Sequence, residues 1–263
     1  MFWLSYLVLG ACAGLLAGLL GVGGGIVIVP ALTFLFTSQG LPAGYIVHLA
    51  IGTSLASILF TSVSSLRAHH GRGAVDWLIV RRIALGIIGG TLAGSWVASR
   101  MTTFGLKAFF VVFLFYVAAQ MLLDLRPKPT RQIPDRAGLF GVGGVIGGIS
   151  SLVGIGGGSM SVPFMIWCNV PVRNAIGTSA AIGFPIALAG TVGYVLNGLA
   201  VPALPAGAIG FIYLPALAGV SLASYLTAPY GARLAHTLPI VGLKRIFALL
   251  LLVTGMKMAA GLF

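Results

Sequence analysis

A run of three glycines set in apolar sequence occurs twice in this chain, as Gly21-Val-Gly-Gly-Gly-Ile-Val-Ile-Val-Pro30 and as Gly154-Ile-Gly-Gly-Gly-Ser-Met-Ser-Val-Pro163. Each run interrupts a stretch too apolar for a water-exposed loop, then opens a short apolar segment that holds a proline. The chain is 59% hydrophobic and 7% charged over 263 residues. That is more apolar surface than a soluble domain can bury, so the fold class is an all-α polytopic membrane protein. In a bilayer, broken backbone is tolerated only where it is buried in protein or lines a cavity. The two breaks are therefore the places to look for a site. They do not form a dinucleotide fingerprint: after Gly21 and Gly23 the last required glycine position is Ile26.

The breaks belong to a larger duplication. Five apolar segments fall at about 3–20, 25–37, 45–66, 83–99 and 106–125, and five more at about 138–153, 159–169, 172–196, 205–228 and 240–262. Gly23 and Gly156 are 133 residues apart, as are Pro30 and Pro163. Ala50-Ile-Gly-Thr-Ser54 and Ala175-Ile-Gly-Thr-Ser179 are 125 apart, and Gly94 and Gly219 keep that offset. The ordered matches predict a first repeat at 1–125, a polar linker at 126–137 and a second repeat at 138–263. Five crossings per half is odd, and so is three if the glycine-broken pairs are re-entrant. Either way the repeats are inverted, an architecture common among secondary transporters. Glycines four apart (Gly10, Gly14, Gly18; Gly86, Gly90, Gly94) mark faces for close helix packing.

The formal net charge is +12, which in a membrane protein records orientation and gives no reason to expect nucleic acid. Placing the basic 67–82 stretch in the cytoplasm puts twelve cations inside: Arg67, Arg72, Arg81, Arg82, Arg126, Lys128, Arg131, Arg136, Arg173, Arg233, Lys244 and Arg245. Only Arg100, Lys107 and Lys257 fall outside, and both termini then face out. Glu is absent, and Asp76, Asp124 and Asp135 sit at segment ends or in loops. Without a mid-span carboxylate, a cation substrate is disfavoured and a small anion favoured. His48, His69 and His70 read as interfacial, Cys12 and Cys168 as packing residues. With no metal-ligand cluster and no nucleophile–base pair, neither a metal, a cofactor nor catalysis is expected.

A helix that starts at a glycine break presents unpaired N–H groups and the positive end of its dipole, an anion site with no charged side chain. Candidate ligands are the backbone N–H groups at Gly23, Gly24, Gly25, Gly156, Gly157 and Gly158. Hydroxyls of Thr53, Ser54, Thr178, Ser179 and Ser159 are candidate donors to the substrate, with bonding inside the membrane as their other use. Ser159 and Ser161 have apolar counterparts in Ile26 and Ile28, so the polar side of the site comes from the second half. The rival is a passive anion channel, which needs a continuous open path.

The two glycine stretches, the paired Ala-Ile-Gly-Thr-Ser motifs and the ending Gly231-Ala-Arg-Leu-Ala-His236 with Leu243-Lys-Arg-Ile-Phe-Ala248 resemble the TauE/SafE sulfite exporter family over nearly the whole chain. The resemblance implies a permease of a bacterial or archaeal inner membrane for small sulfur-containing anions such as sulfite, sulfonates or sulfoacetate. The positions it carries over are the glycine clusters and the Gly-Thr-Ser motifs.

Overall fold

The computed structural model describes residues 2–21, 24–123, 130–202, 204–234 and 240–261. Gly23, Asp124, Arg126, Lys128 and His236 lie outside them. Among the described residues ten α-helices follow one another. They are α1 (Phe2–Leu20), α2 (Gly25–Ser38), α3 (Ile46–His70), α4 (Trp77–Arg100), α5 (Thr103–Leu122), α6 (Arg136–Val153), α7 (Gly158–Trp167), α8 (Val172–Gly198), α9 (Leu214–Leu234) and α10 (Ile240–Ala260). A two-stranded hairpin, β1 (Ala208–Ile209) and β2 (Ile212–Tyr213), precedes α9. Helices α1, α3, α4, α5, α6 and α8 are long and apolar enough to cross a bilayer. Helices α2 and α7, with 14 and 10 residues, fall short of the about 20 that a full span needs. The protein is an all-α polytopic membrane protein.

Helices that correspond in the sequence repeat exchange partners. α1 packs on α9, and its counterpart α6 packs on α4. α3 contacts α9, and its counterpart α8 contacts α4, while α3 also packs on α8 and α5 on α10. The glycine ladders produce the closest pairs. Cβ atoms at Gly10, Gly14 and Gly18 would strike the α9 backbone at Val220, Ser224 and Ala228. Those at Gly86, Gly90 and Gly94 would strike α6 at Phe140, Gly144 and Gly148. Such contact replaces the hydrophobic drive that lipid removes.

The ends of the fourth segments differ from expectation. α4 begins at Trp77, not near residue 83, so Arg81 and Arg82 lie inside a helix. The cause is Asp76, whose carboxylate accepts from the N–H groups of Leu78 (2.9 Å) and Ile79 (3.2 Å) and so starts the helix more than a turn and a half early. Asp135 caps α6 in the same way through Gly138 N–H at 2.9 Å. Two of the three acids are thus helix caps. α9 begins at Leu214, not near 205, because Gly207 and Gly210 take positive φ and turn the chain into the hairpin. His48 and His69, expected at the interface, are buried; their Nε2 atoms lie 3.1 Å from the carbonyls of Ala98 and Gly18. Cys168 is buried as expected, whereas Cys12 is exposed.

The described end of the linker is tied down. Trp167 at the end of α7 donates its indole N–H to Thr130 Oγ1 at 3.2 Å, and Arg131 N–H donates to Trp167 O at 3.2 Å. The Arg131 guanidinium lies 5.1 Å from the centre of the Trp167 ring.

Candidate functional site

Both breaks have the same backbone. Gly21 and Gly24 have φ of 67° and 75°, and their counterparts Gly154 and Gly157 have 75° and 76°. Gly24 and Gly157 are the residues that cap α2 and α7, with ψ near zero (−15° and −8°) and no side-chain cap bond. Residues with a Cβ avoid this left-handed region, which is why the break needs glycine at these positions.

The caps leave N–H groups without an acceptor among the described residues. The first amides of α2 to find an acceptor are those of Val27 and Ile28, both on Gly24 O at 3.1 and 3.2 Å. In α7 they are Met160 and Ser161, on Gly157 O at 3.0 and 2.9 Å. The N–H groups of Gly25, Ile26, Gly158 and Ser159 have no partner among the described residues. All four residues are buried. Ser159 Oγ is also buried without a hydrogen-bond partner among them. A buried orphan donor costs about 1–3 kcal/mol. Several at one helix start, with the helix dipole behind them, fit a bound anion.

The two breaks touch. A Cβ at Gly25 would run into Gly154 O and lie 2.9 Å from Ile155 Cα. The Gly-Thr-Ser motifs hold this junction, each acting on the opposite half. Ser54 Oγ donates to Gly154 O at 2.8 Å, and Ser179 Oγ donates to Gly21 O at 2.9 Å. Ser161 Oγ donates in turn to Ser179 Oγ at 2.9 Å. Thr53 Oγ1 accepts from Tyr213 N–H and Thr178 Oγ1 from Asp76 N–H, both at 2.9 Å. Those are the residues immediately before α9 and α4. The motif glycines let the same segments approach: Gly52 faces Phe211 O and Gly177 faces Ala74 O. Each motif therefore latches a glycine break with its serine and a helix start with its threonine and glycine.

Removing either serine hydroxyl strands a buried carbonyl, so Ser54→Ala and Ser179→Ala should each cost about 1–3 kcal/mol. A lower melting temperature of the detergent-purified variants is the expected reading, lower still for Ser179→Ala, which also takes the acceptor of Ser161 Oγ. A variant that melts with the wild type would show its latch to be idle.

Between the breaks lies a cavity of about 10 Å³, enough for about one water. Gly21, Gly156 and Ser179 line it, with Ala17 from α1, Thr61, Ser62 and Ser65 from α3, and Ala180 and Gly183 from α8. No charged side chain is among the lining residues. Ser65 Oγ is buried without a partner among the described residues. Of the hydroxyl residues singled out in the sequence, Ser179 reaches this cavity, while Thr53, Ser54, Thr178 and Ser159 are not in its lining. Thr61, Ser62 and Ser65 were missed. The signal was the run Thr61-Ser-Val-Ser-Ser65, more hydroxyls than an apolar span needs.

Paired half-helices that start at buried glycine breaks, latched across a bundle of spanning helices, define the frame of a membrane transporter. The family comparison is specific: residues 6–258 match the model described as sulfite exporter TauE/SafE, and the chain belongs to that family. A probable membrane transporter protein of Haemophilus influenzae is 35% identical over 98% of this chain and 98% of its own. One from Bacillus subtilis is 31% identical over 75% of this chain and 80% of its own. One from Methanocaldococcus jannaschii is 29% identical over 85% and 80%. No solved structure matches the chain. The protein is a multi-pass membrane transporter.

Proposed function

We propose that the chain is a secondary transporter of a small anion, a sulfur oxyanion or organosulfonate such as sulfite or sulfoacetate, working by alternating access in a bacterial or archaeal cytoplasmic membrane. The observation that carries this reading is the pair of glycine-capped starts of α2 and α7, where the N–H groups of Gly25, Ile26, Gly158 and Ser159 and the Ser159 hydroxyl have no partner among the described residues. A sulfonate or sulfite oxygen satisfies these donors without a buried counter-charge. Gly24 and Gly157 shape the turns that leave these donors unpaired among the described residues, and Gly156 and Ser179 contribute from the cavity side. The sulfur chemistry is supported by the description of the family.

The exchange of helix partners between the sequence repeats supports inverted halves related by a two-fold axis in the membrane plane. The excess of Lys and Arg on one side supports termini on the outer face. A cavity near one water in size is too small for sulfite, so the helices around it, α1, α3 and α8, separate to admit the anion. A cavity of that size among the described residues supports alternating access over a passive channel.

The test is flux into proteoliposomes together with ligand-induced thermal stabilisation. Sulfite or a sulfonate should raise the melting temperature, flux should saturate, and counter-exchange should appear. Ser159→Ala should raise KM about 10–100-fold, the worth of one hydrogen bond to a charged group. Unsaturable flux, or a Ser159→Ala variant with wild-type KM, would overturn the reading.

A further inference from the structure

On the arginine-rich face, the last turns of α3 and α9 enclose an open groove of about 620 Å³. Arg67 and Arg72 enter it from the end of α3, and Arg233 from the last turn of α9. We propose that this groove binds an anionic phospholipid, with the phosphate held by Arg67, Arg72 and Arg233.

The first ground is uncompensated charge. Two helix C-termini offer about one negative charge between them, against three guanidinium groups. No acid lines the groove. Among the described acids, Asp76 is turned to the start of α4 and Asp135 to the start of α6. Three like charges converging at the edge of a low-dielectric slab favour a bound anion.

Donors are also spare. Arg67 gives one N–H to the Tyr225 hydroxyl at 3.1 Å, and Arg72 gives one to Ala68 O at 3.0 Å. Arg233 lies over the Tyr230 ring, 5.6 Å from its centre. Each guanidinium carries five N–H donors in a fork suited to phosphate oxygens. These bonds engage one N–H of Arg67 and one of Arg72, and all three arginines line the groove.

The apolar surface decides the source of the phosphate. On α9, Tyr230, Leu226 and Leu222 recur every four residues and are exposed at 59%, 58% and 60%. They form a stripe that runs from the groove toward the middle of the span. Phe60, on α3 one turn before Ser64 of the groove, is exposed as well. A phosphate at the water interface with an apolar stripe leading into the bilayer fits a headgroup with its acyl chains. A soluble oxyanion has no use for the stripe.

The experiment is native mass spectrometry of the purified full chain with phosphatidylglycerol or phosphatidylcholine, alongside melting temperatures in the same lipids. Wild type should retain phosphatidylglycerol preferentially and melt higher in it. Arg67→Gln with Arg233→Gln should lose about thirtyfold in phosphatidylglycerol affinity, the worth of two interfacial arginines. The double variant should still melt as wild type does in phosphatidylcholine. Arg81→Gln, exposed on the same face but outside the groove, should change nothing. Equal retention of both lipids by wild type, or an undiminished preference in the double variant, overturns the proposal. So does full displacement of the lipid by excess inorganic phosphate, which would assign the groove to a soluble anion.

Discussion

Gly24→Ala is expected to abolish transport, and Gly157→Ala to reduce it less. Both positions hold φ near +75°, where an L-residue costs about 1–2 kcal/mol. The surroundings then separate them. A Cβ at Gly24 would lie 2.7 Å from Ala13 O and 3.2 Å from Ala13 C, which is backbone of the adjoining helix α1 and has nowhere to go. A Cβ at Gly157 meets first the Cδ1 of Ile186, the far end of a side chain that can turn away. Relief of the Gly24 clash therefore requires α2 to slide on α1, moving the amides of Gly25 and Ile26 with it. Relief at Gly157 requires only that Ile186 change rotamer. A second substitution, Ile186→Val, should restore part of the transport lost by Gly157→Ala and none of that lost by Gly24→Ala. Counterflow in proteoliposomes reads the effect, and monodisperse elution of each variant shows that the protein has folded. Wild-type counterflow in Gly24→Ala would mean that the start of α2 does not form the anion site.

The glycine break was legible in the sequence because its requirement is local. Three glycines in apolar surroundings, repeated at an offset of 133, imply a backbone turn that only glycine takes, and the φ values of the two copies agree within about ten degrees. The glycine ladders were legible for the same reason, since a four-residue spacing places small residues on one face. The Gly-Thr-Ser motif was legible as a motif but not in its action. Ser54 acts on Gly154, 100 residues away, and Thr53 on Tyr213, 160 away. No window of sequence contains both partners. The start of α4 was misplaced because Arg81 and Arg82 read as a solvated loop. The cap at Asp76 decides otherwise, and α4 carries both arginines in its first turns. The hydroxyls of Thr61, Ser62 and Ser65 were passed over because polar residues in a spanning helix can always bond to their own backbone. Thr61 does so with Ser57 O and Ser62 with Leu59 O, yet both still line the cavity. Only the fold shows which face of α3 meets the breaks.

The cavity also separates the two halves, and this yields the second large effect. It lies on the arginine-rich side of the junction, beside residues 61–65, between Ser54 and Arg67 along α3. On that side α8 contributes Ala180 and Gly183, with Thr61 from α3. Their counterparts at the 125 offset are Leu55, Ile58 and Ile186, all fully buried and larger. Leu55 fills the space at Gly190, and Ile58 approaches Gly25 to about 3 Å from where its Cβ would be. One side of the junction is thus packed with branched aliphatics, and the other is left small and hydroxyl-lined. Giving Gly183 the side chain of its counterpart should erase the difference. A Cβ there would lie 3.4 Å from Gly156 O and 3.7 Å from Ser62 Cβ, ordinary contact, so Gly183→Ala should be tolerated. Gly183→Ile projects further into the cavity, costs about 1–3 kcal/mol by overpacking, and should bring transport to background while the protein still purifies as a folded species. A graded fall through Ala, Val and Ile would place the anion's path through this cavity. Undiminished transport in folded Gly183→Ile would move the path elsewhere, because a substrate larger than one water cannot share a space that isoleucine already fills.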